Sequence, residues 1–159
     1  MIQNAIRAAR LDLDFYNTIE KDEQFTGQAG LIVAITSLIT GLGTAFAAKG
    51  FIWPFIVATI GGLVAWVVWS VLTAWIGTTF FEGQTDVGEM LRVLGFAQAP
   101  LVLAIIPWFG IVVGSIWALI ASVVAVREGQ DFTTGKAIGT VGVGWIAYLV
   151  IKGIWTFIF

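Results

Sequence analysis

Few residues in this 159-residue chain could support catalysis or bind a metal ion. Cysteine and histidine are both absent, which excludes thiol chemistry, disulfides, Cys/His zinc sites and a histidine general base. Glu82, Asp86 and Glu89 cluster in a polar stretch, and such carboxylates sometimes act as acid and base or bind a metal. Asp86 and Glu89, however, have the spacing of a helix capping box, and no histidine completes a site. We therefore predict no catalytic residue, no cofactor and no metal site, and we expect that the protein is not an enzyme.

Polar residues and prolines inside the apolar stretches are the remaining candidates for a functional site. Gln98 is the one amide in the apolar run of residues 93–126, and we expect it near the middle of the membrane, where it could bond to a neighbouring helix. Pro100 should kink the same helix, because the carbonyl of Phe96 loses its partner. Pro107 should separate this helix from the next. Gln98, Pro100 and Pro107 thus form a candidate hinge or polar site, with a purely structural role as the alternative.

The composition predicts an integral membrane protein. Hydrophobic residues make up 58% of the chain and charged residues 11%, whereas soluble domains carry about 25% charged residues. A bilayer core of about 30 Å requires about 20 apolar residues in a helix. Uncharged runs cover residues 24–48, 50–81, 93–126 and 137–151. The net charge of −2 and the lack of a basic cluster give no reason to expect nucleic-acid binding.

We predict an all-α membrane protein, a bundle of five transmembrane helices preceded by a short amphipathic helix. The amphipathic helix is expected at residues 1–25 on the cytosolic side, and the transmembrane bundle at residues 26–159. The five helices are expected at approximately residues 26–48, 51–81, 88–106, 108–126 and 136–156. The third and fourth are short for a full crossing, so a re-entrant hairpin with four crossings is the alternative.

Apolar residues in the N-terminal segment recur at spacings of three and four, which is typical of an amphipathic helix. These residues are Ile2, Ile6, Ala9, Leu13 and Tyr16. We expect this helix to lie outside the core, either on the membrane surface, docked against the bundle, or bound to a partner helix. The segment is polar and lacks the apolar region of a signal peptide.

Small residues recur along the predicted transmembrane helices, and they let helix backbones approach closely in lipid. The candidate helix-packing residues are Gly41, Gly61, Gly62, Gly110, Gly114, Ala118, Ser122, Gly135, Gly139 and Gly144. The most regular set has a four-residue spacing between positions 110 and 122. Such a face could serve within one chain or in a homo-oligomer. The hydroxyls of Thr36, Thr40 and Thr44 are expected to bond to carbonyls of their own helix.

The distribution of basic residues predicts the orientation in the membrane. With five crossings, the segments on one side hold Arg7, Arg10, Lys21, Arg92, Arg127 and Lys136, and those on the other hold Lys49 and Lys152. Since the side with more basic residues faces the cytoplasm, the N-terminus should be cytoplasmic and the C-terminus outside. Lys152, close to Trp155, is interpreted as an anchor at the membrane surface.

Two sets of residues resemble a known membrane family. The first is Leu94-Gly95-Phe96 with Pro100, Ile116-Trp117, Val126-Arg127-Glu128 and Thr134-Gly135-Lys136-Ala137. The second is Phe15-Tyr16, Ile19-Glu20-Lys21-Asp22 and Thr26-Gly27-Gln28-Ala29. Together they are similar to the prokaryotic branch of the Yip (Ypt/Rab-interacting protein) family. Many members have Gly-Tyr where this chain has Gly95-Phe96, which removes a hydroxyl from the third helix.

This resemblance implies a five-helix bundle with a cytosolic N-terminus, located here in a prokaryotic cell membrane. For eukaryotic members it implies trafficking roles through small GTPases and assembly into oligomers. The stretch before the first helix is short here, so we do not carry GTPase binding over. We expect a non-enzymatic scaffold or adaptor whose partners are membrane lipids and either further copies or other membrane proteins. A small transporter, channel or lipid-moving protein is the alternative.

Overall fold

A computed structural model describes residues 1–47, 51–106 and 108–158, together with the side chains of these residues other than 44, 47 and 147–158. All regular elements in these residues are helices. They are α1 (Ile2–Ala9), α2 (Leu13–Lys21), α3 (Phe25–Ala47), α4 (Ile52–Phe80), α5 (Val87–Ala97), a 3₁₀ helix (Ala99–Ile105), α6 (Phe109–Gly129) and α7 (Thr134–Ile158). Pro107, one residue of the candidate hinge, lies outside the described residues, as do Lys49 and the side chain of Lys152.

Four helical stretches in the described residues are long and apolar enough to cross a membrane. They are Phe25–Gly43, Ile52–Phe80, Val87–Ile105 and Phe109–Gly129. The chain is therefore an all-helical integral membrane protein. Five such helices were expected. The helix expected at residues 136–156 is present as α7, which packs against α4 and α6, but it is not among these four stretches.

The third predicted helix is not continuous. The α-helical part ends at Ala97, and the chain continues as the 3₁₀ helix Ala99–Ile105. Pro100 has no N–H group to donate to the carbonyl of Phe96, so the α-helical pattern cannot continue there. The Leu101 N–H instead bonds to the Gln98 carbonyl over 2.9 Å. A 3₁₀ helix rises about 2 Å per residue rather than 1.5 Å, so the two parts together extend about 30 Å.

The prediction of a single N-terminal helix over residues 1–25 was wrong, because α1 and α2 are separated by a turn at residues 10–12. The carboxylate of Asp12 accepts a hydrogen bond of 3.0 Å from the Phe15 N–H and so caps α2. The same carboxylate forms an ion pair of 2.7 Å with Arg7 of α1. Leu11 adopts a positive φ of 60°, which reverses the chain direction at the end of α1.

The N-terminal helices are also part of the core, whereas they were expected to lie outside it. Phe15, Tyr16 and Ile19 of α2 are almost completely buried. The ring of Phe15 contacts that of Phe96 in α5 edge to face, with centroids 5.2 Å apart. The apolar stripe predicted for this segment was largely wrong, because Ile2, Ile6 and Leu13 are exposed and only Tyr16 of the predicted set is fully buried. The buried face of α2 packs against α5 and α6. Docking against the bundle is therefore the placement observed for α2.

Candidate functional site

Three segments that are far apart in sequence meet at one end of the bundle. They are α2, the loop of residues 81–86, and residues 128–133 at the end of α6 and in the loop after it, and we call the surface they form the inner surface. Asn17 of α2 donates to the carboxylate of Glu128, and the Gln84 N–H lies 3.5 Å from the Gln130 carbonyl. The rings of Phe81 and Phe132 pack edge to face, with centroids 6.2 Å apart. The three segments therefore present their polar residues together.

Arg92 of α5 attaches α2 to the bundle. Its side chain is buried, and its Nε donates to the carbonyls of Ile19 and Glu20 over 2.9 and 3.1 Å. Its Nη2 donates to the same Glu20 carbonyl. These carbonyls belong to the last turn of α2, where carbonyl groups lack partners within the helix and a positive charge is favourable. The guanidinium thus closes the end of α2 and holds it against α5. Glu89 accepts a hydrogen bond from the Asp86 N–H, so the predicted capping box is confirmed.

The inner surface is acidic. All ten acidic residues of the chain lie at positions 12–23, 82–89 and 128–131, within or next to the three segments. Burial raises the pKa of the Glu20 carboxyl above its usual range, although the neighbouring Lys21 partly opposes this shift. Lys21 is itself exposed and lies 3.1 Å from Glu20. The inner surface therefore suits a partner with positive charge. No group of acidic residues that could hold a metal ion was found in the described residues.

Gln130 fills the space beneath the two loops. It is 1% exposed, and its Nε2 donates to the Thr73 carbonyl of α4 over 3.0 Å. A Cβ on Gly77 or on Gly83 would overlap the Gln130 side chain. The Gln130 side chain can therefore occupy this space only because both residues are glycine. The Oε1 of Gln130 and the hydroxyl of Thr73 have no hydrogen-bond partner in the described residues. Gln130 connects the loop after α6 to α4.

A second feature lies within the membrane-spanning part, and we call it the central groove. It has a volume of about 530 Å³ and lies between α3, α4, the α5–3₁₀ junction, α6 and α7. Its polar lining residues are Thr36, Ser37, Thr40, Gln98, Ser115 and Ser122. As predicted, the hydroxyls of Thr36 and Thr40 bond to carbonyls of their own helix. The Gln98 amide forms no hydrogen bond to another described residue, which leaves it available within the groove. The groove could hold an apolar molecule that carries a polar group.

Two residues of the candidate hinge lie at the junction between α5 and the 3₁₀ helix. Gln98 ends α5 and lines the central groove, while Pro100 is buried in the first turn of the 3₁₀ helix. The carbonyl of Pro100 lies 3.0 Å from the position that a Cβ on Gly114 would occupy. The junction therefore packs against α6 on one side and borders the central groove on the other.

The glycines proposed for helix packing divide into two groups. A Cβ would meet another helix or segment closely at Gly41, Gly62, Gly110, Gly114, Gly139 and Gly144. In contrast, nothing lies within 4 Å of the Cβ position at Gly61 or Gly135. Ala118 is buried, and Ser122 lines the central groove. The α6 face from Gly110 to Ser122 thus contacts parts of the same chain.

Some residues of the inner surface could not be found from the sequence. Arg92 bonds to backbone carbonyls 72 and 73 residues earlier, and no side-chain pattern reports such acceptors. Gln130 looks like an ordinary loop residue, although Gly77 and Gly83 give a weak signal of a close approach. Phe15 and Tyr16 could have been noticed as large apolar residues adjacent in sequence on an otherwise polar segment.

Comparison with known proteins agrees with this architecture. A family model described as the Yip1 domain matches residues 13–158, which is most of the chain. No curated protein gives a significant match. No solved structure gives one either.

Proposed function

Because the chain belongs to the Yip1-domain family, we propose that it is a non-enzymatic membrane scaffold or adaptor. In this function the bundle anchors the protein, and the inner surface binds a protein partner. Further copies of the chain or other membrane proteins are the expected partners, since many apolar side chains on α4 and α6 face outwards.

The proposed topology has five crossings in a prokaryotic cell membrane, with a cytoplasmic N-terminus and an outer C-terminus. It uses α7 as the fifth crossing, and it places the inner surface in the cytoplasm. Six basic residues lie on that side and two on the other. This difference supports the orientation, because the rule compares the numbers of Lys and Arg on the two sides and not the net charge. The 3₁₀ helix supports a full crossing by α5, because it provides the length that an α-helix of the same residues would lack.

The observation that carries the adaptor proposal is the joining of three acidic segments into one surface. Arg92 and Asn17 hold α2 against the bundle, which keeps its carboxylates on the same side as those of both loops. An excess of acidic residues on one surface favours a partner with a complementary basic surface, and it increases the rate of encounter.

In-cell photocrosslinking tests this proposal. A photoreactive residue at Thr18 or Gln84 lies on the inner surface, whereas one at Trp53 on the exposed start of α4 is the matched control. We expect a discrete crosslinked protein from the two inner positions, and its loss when Asp14 and Asp131 are both changed to lysine. The adaptor function of this surface would be contradicted if the Trp53 position gave the same crosslinked protein as the Thr18 and Gln84 positions. It would also be contradicted if the charge reversal left the crosslinks unchanged.

The central groove favours a second candidate function, movement of a lipid or another small molecule. It combines an apolar wall with the free amide of Gln98 inside the membrane-spanning part. Purified protein in liposomes would then increase the flux of labelled lipids or ions above that of empty vesicles, and Gln98→Leu would reduce it. Flux equal to that of empty vesicles would exclude this alternative for the molecules assayed.

A further inference from the structure

The central groove combines an uncharged lining with one polar side chain that has no partner among the described residues. Every described residue that lines the groove is uncharged, and the free group is the amide of Gln98. We propose that the central groove binds an uncharged lipid alcohol, with the hydroxyl of the lipid at Gln98 and its chains extending into the bilayer. This inference rests on the groove of the second candidate function, but it requires binding only and no movement across the membrane.

The depth of Gln98 is the first argument. This residue follows the 11 residues of α5 and precedes the 7 residues of the 3₁₀ helix. At rises of about 1.5 and 2 Å per residue, about 16 Å of helix lie on one side of Gln98 and about 14 Å on the other. Gln98 therefore lies near the middle of a hydrocarbon layer that is about 30 Å thick. A charged headgroup is costly at this depth, so a lipid that brings a polar group to Gln98 must be uncharged.

The hydrogen-bonding capacity of the lining is the second argument. The hydroxyl of Thr36 donates to the Ile32 carbonyl over 3.0 Å. The hydroxyl of Ser122 donates to the Ala118 carbonyl over 2.8 Å. These two oxygens can therefore only accept a further hydrogen bond, whereas the Gln98 amide can both donate and accept. A hydroxyl group matches this lining because it also donates and accepts, while a ketone or a quinone lacks the donor.

The walls and the opening of the groove are the third argument. Trp66 and Leu94 line its inner part, and its volume of about 530 Å³ is within the range of small-ligand sites. Ile116 and Leu119 of α6 and Trp145 of α7 also line the groove, although each is exposed at the outer surface of the bundle. The groove therefore opens sideways between α6 and α7. A lipid can enter it from the bilayer without passing through water.

Photolabelling in liposomes tests this inference. The protein is reconstituted in phosphatidylcholine with a trace of a photoreactive diacylglycerol, or of the phosphatidic acid that has the same two chains, so that the probes differ only in the phosphate. We expect the diacylglycerol to label the protein at least about tenfold more strongly, because charge is costly at this depth. The crosslinks should lie on residues of the groove, and excess unlabelled diacylglycerol should abolish them. Equal labelling by the two probes, or crosslinks spread evenly over the outward faces of α4 and α6, would overturn the inference.

Two matched pairs of variants test the amide and the shape of the groove separately. Gln98→Leu should lower diacylglycerol labelling about fivefold, as expected for one hydrogen bond between uncharged groups, whereas Gln84→Leu on the inner surface should leave it unchanged. Ser115→Phe should lower labelling by filling part of the groove. Val112→Phe adds the same ring to the exposed face of α6 outside the groove, and it should leave labelling unchanged.

The variants can also contradict the inference. Unchanged labelling in either Gln98→Leu or Ser115→Phe would overturn it, as would an equal loss in the matched control of either pair. Specific labelling in liposomes whose lipid flux equals that of empty vesicles would support binding while excluding transport. Binding at the groove and the second candidate function are thus tested independently.

Discussion

At the scale of single residues, the buried charged and polar groups connect parts of the chain that sequence patterns treat separately. The capping box of Asp86 and Glu89 was predictable because both partners lie within one turn of helix. The bonds from Arg92 to α2 were not predictable, since a backbone carbonyl leaves no signature in the sequence.

We expect Arg92→Met to release α2 from the bundle. Hydrogen bonds from a charged group typically contribute about 1.5–3 kcal/mol, and the two carbonyls would lose their buried donor. Hydrogen exchange of the α2 amides should then become at least tenfold faster, while exchange in α4 stays the same. Lys136→Met is the control, because Lys136 contacts Phe81 and Glu82 and not α2. Unchanged exchange in α2 would show that Arg92 does not hold this helix.

Glu20→Gln should stabilise the docked position of α2 at neutral pH. Burial raises the folded pKa of Glu20, so the folded state favours the protonated carboxyl and loses stability as pH rises from the unfolded pKa through the folded one. The side-chain amide of the variant cannot ionise, so the variant should keep its stability over this pH range. Its advantage in thermal stability should therefore be present at pH 7 and disappear below the ordinary carboxyl pKa of 4.5. An advantage that persists at low pH would contradict this explanation.

At the scale of elements, the sequence predicted where long helices occur but not how each of them continues or packs. The uncharged runs overlap the four helical stretches that could cross a membrane, but the run of residues 137–151 lies in α7, which is not among these four. The change at Ala97 from α-helix to 3₁₀ helix depends on Pro100, for which we predicted a kink instead. The burial of α2 could not be inferred from its amphipathic pattern, since lipid and protein both accept an apolar face.

Two neighbouring glycines of α4 provide a matched test of helix packing. Nothing lies within 4 Å of the Cβ position of Gly61, so Gly61→Ala should stabilise α4 by up to about 1 kcal/mol through helix propensity. The Cβ position of Gly62 lies 3.0 Å from the Cβ of Ser37 and even closer to its hydroxyl. Gly62→Ala should therefore lower stability by about 1–3 kcal/mol through overpacking of α3 against α4. Melting temperatures in detergent check both changes, and equal effects would contradict the observed α3–α4 contact.

At the scale of the whole molecule, a membrane bundle carries an acidic surface at one end. Composition and run lengths were sufficient to predict an all-helical membrane protein, and the family match agrees with that prediction. The inner surface could not be predicted as a unit, because it forms only when α2 packs back over α5 and meets both loops. Whether this surface faces the cytoplasm depends on the number of crossings and their direction.

Cysteine accessibility in intact cells is the most direct test of this account, since the chain contains no cysteine of its own. Single cysteines replace Thr18, Gln84 and Asp131 on the inner surface, Trp53 at the start of α4, and Phe159 at the C-terminus. With a membrane-impermeant maleimide, we expect labelling of the Trp53 and Phe159 positions from outside, and of the other three only after the cells are opened. Labelling of the Thr18 or Gln84 position from outside would contradict a cytoplasmic inner surface. Protection of the Phe159 position from outside labelling would contradict the fifth crossing.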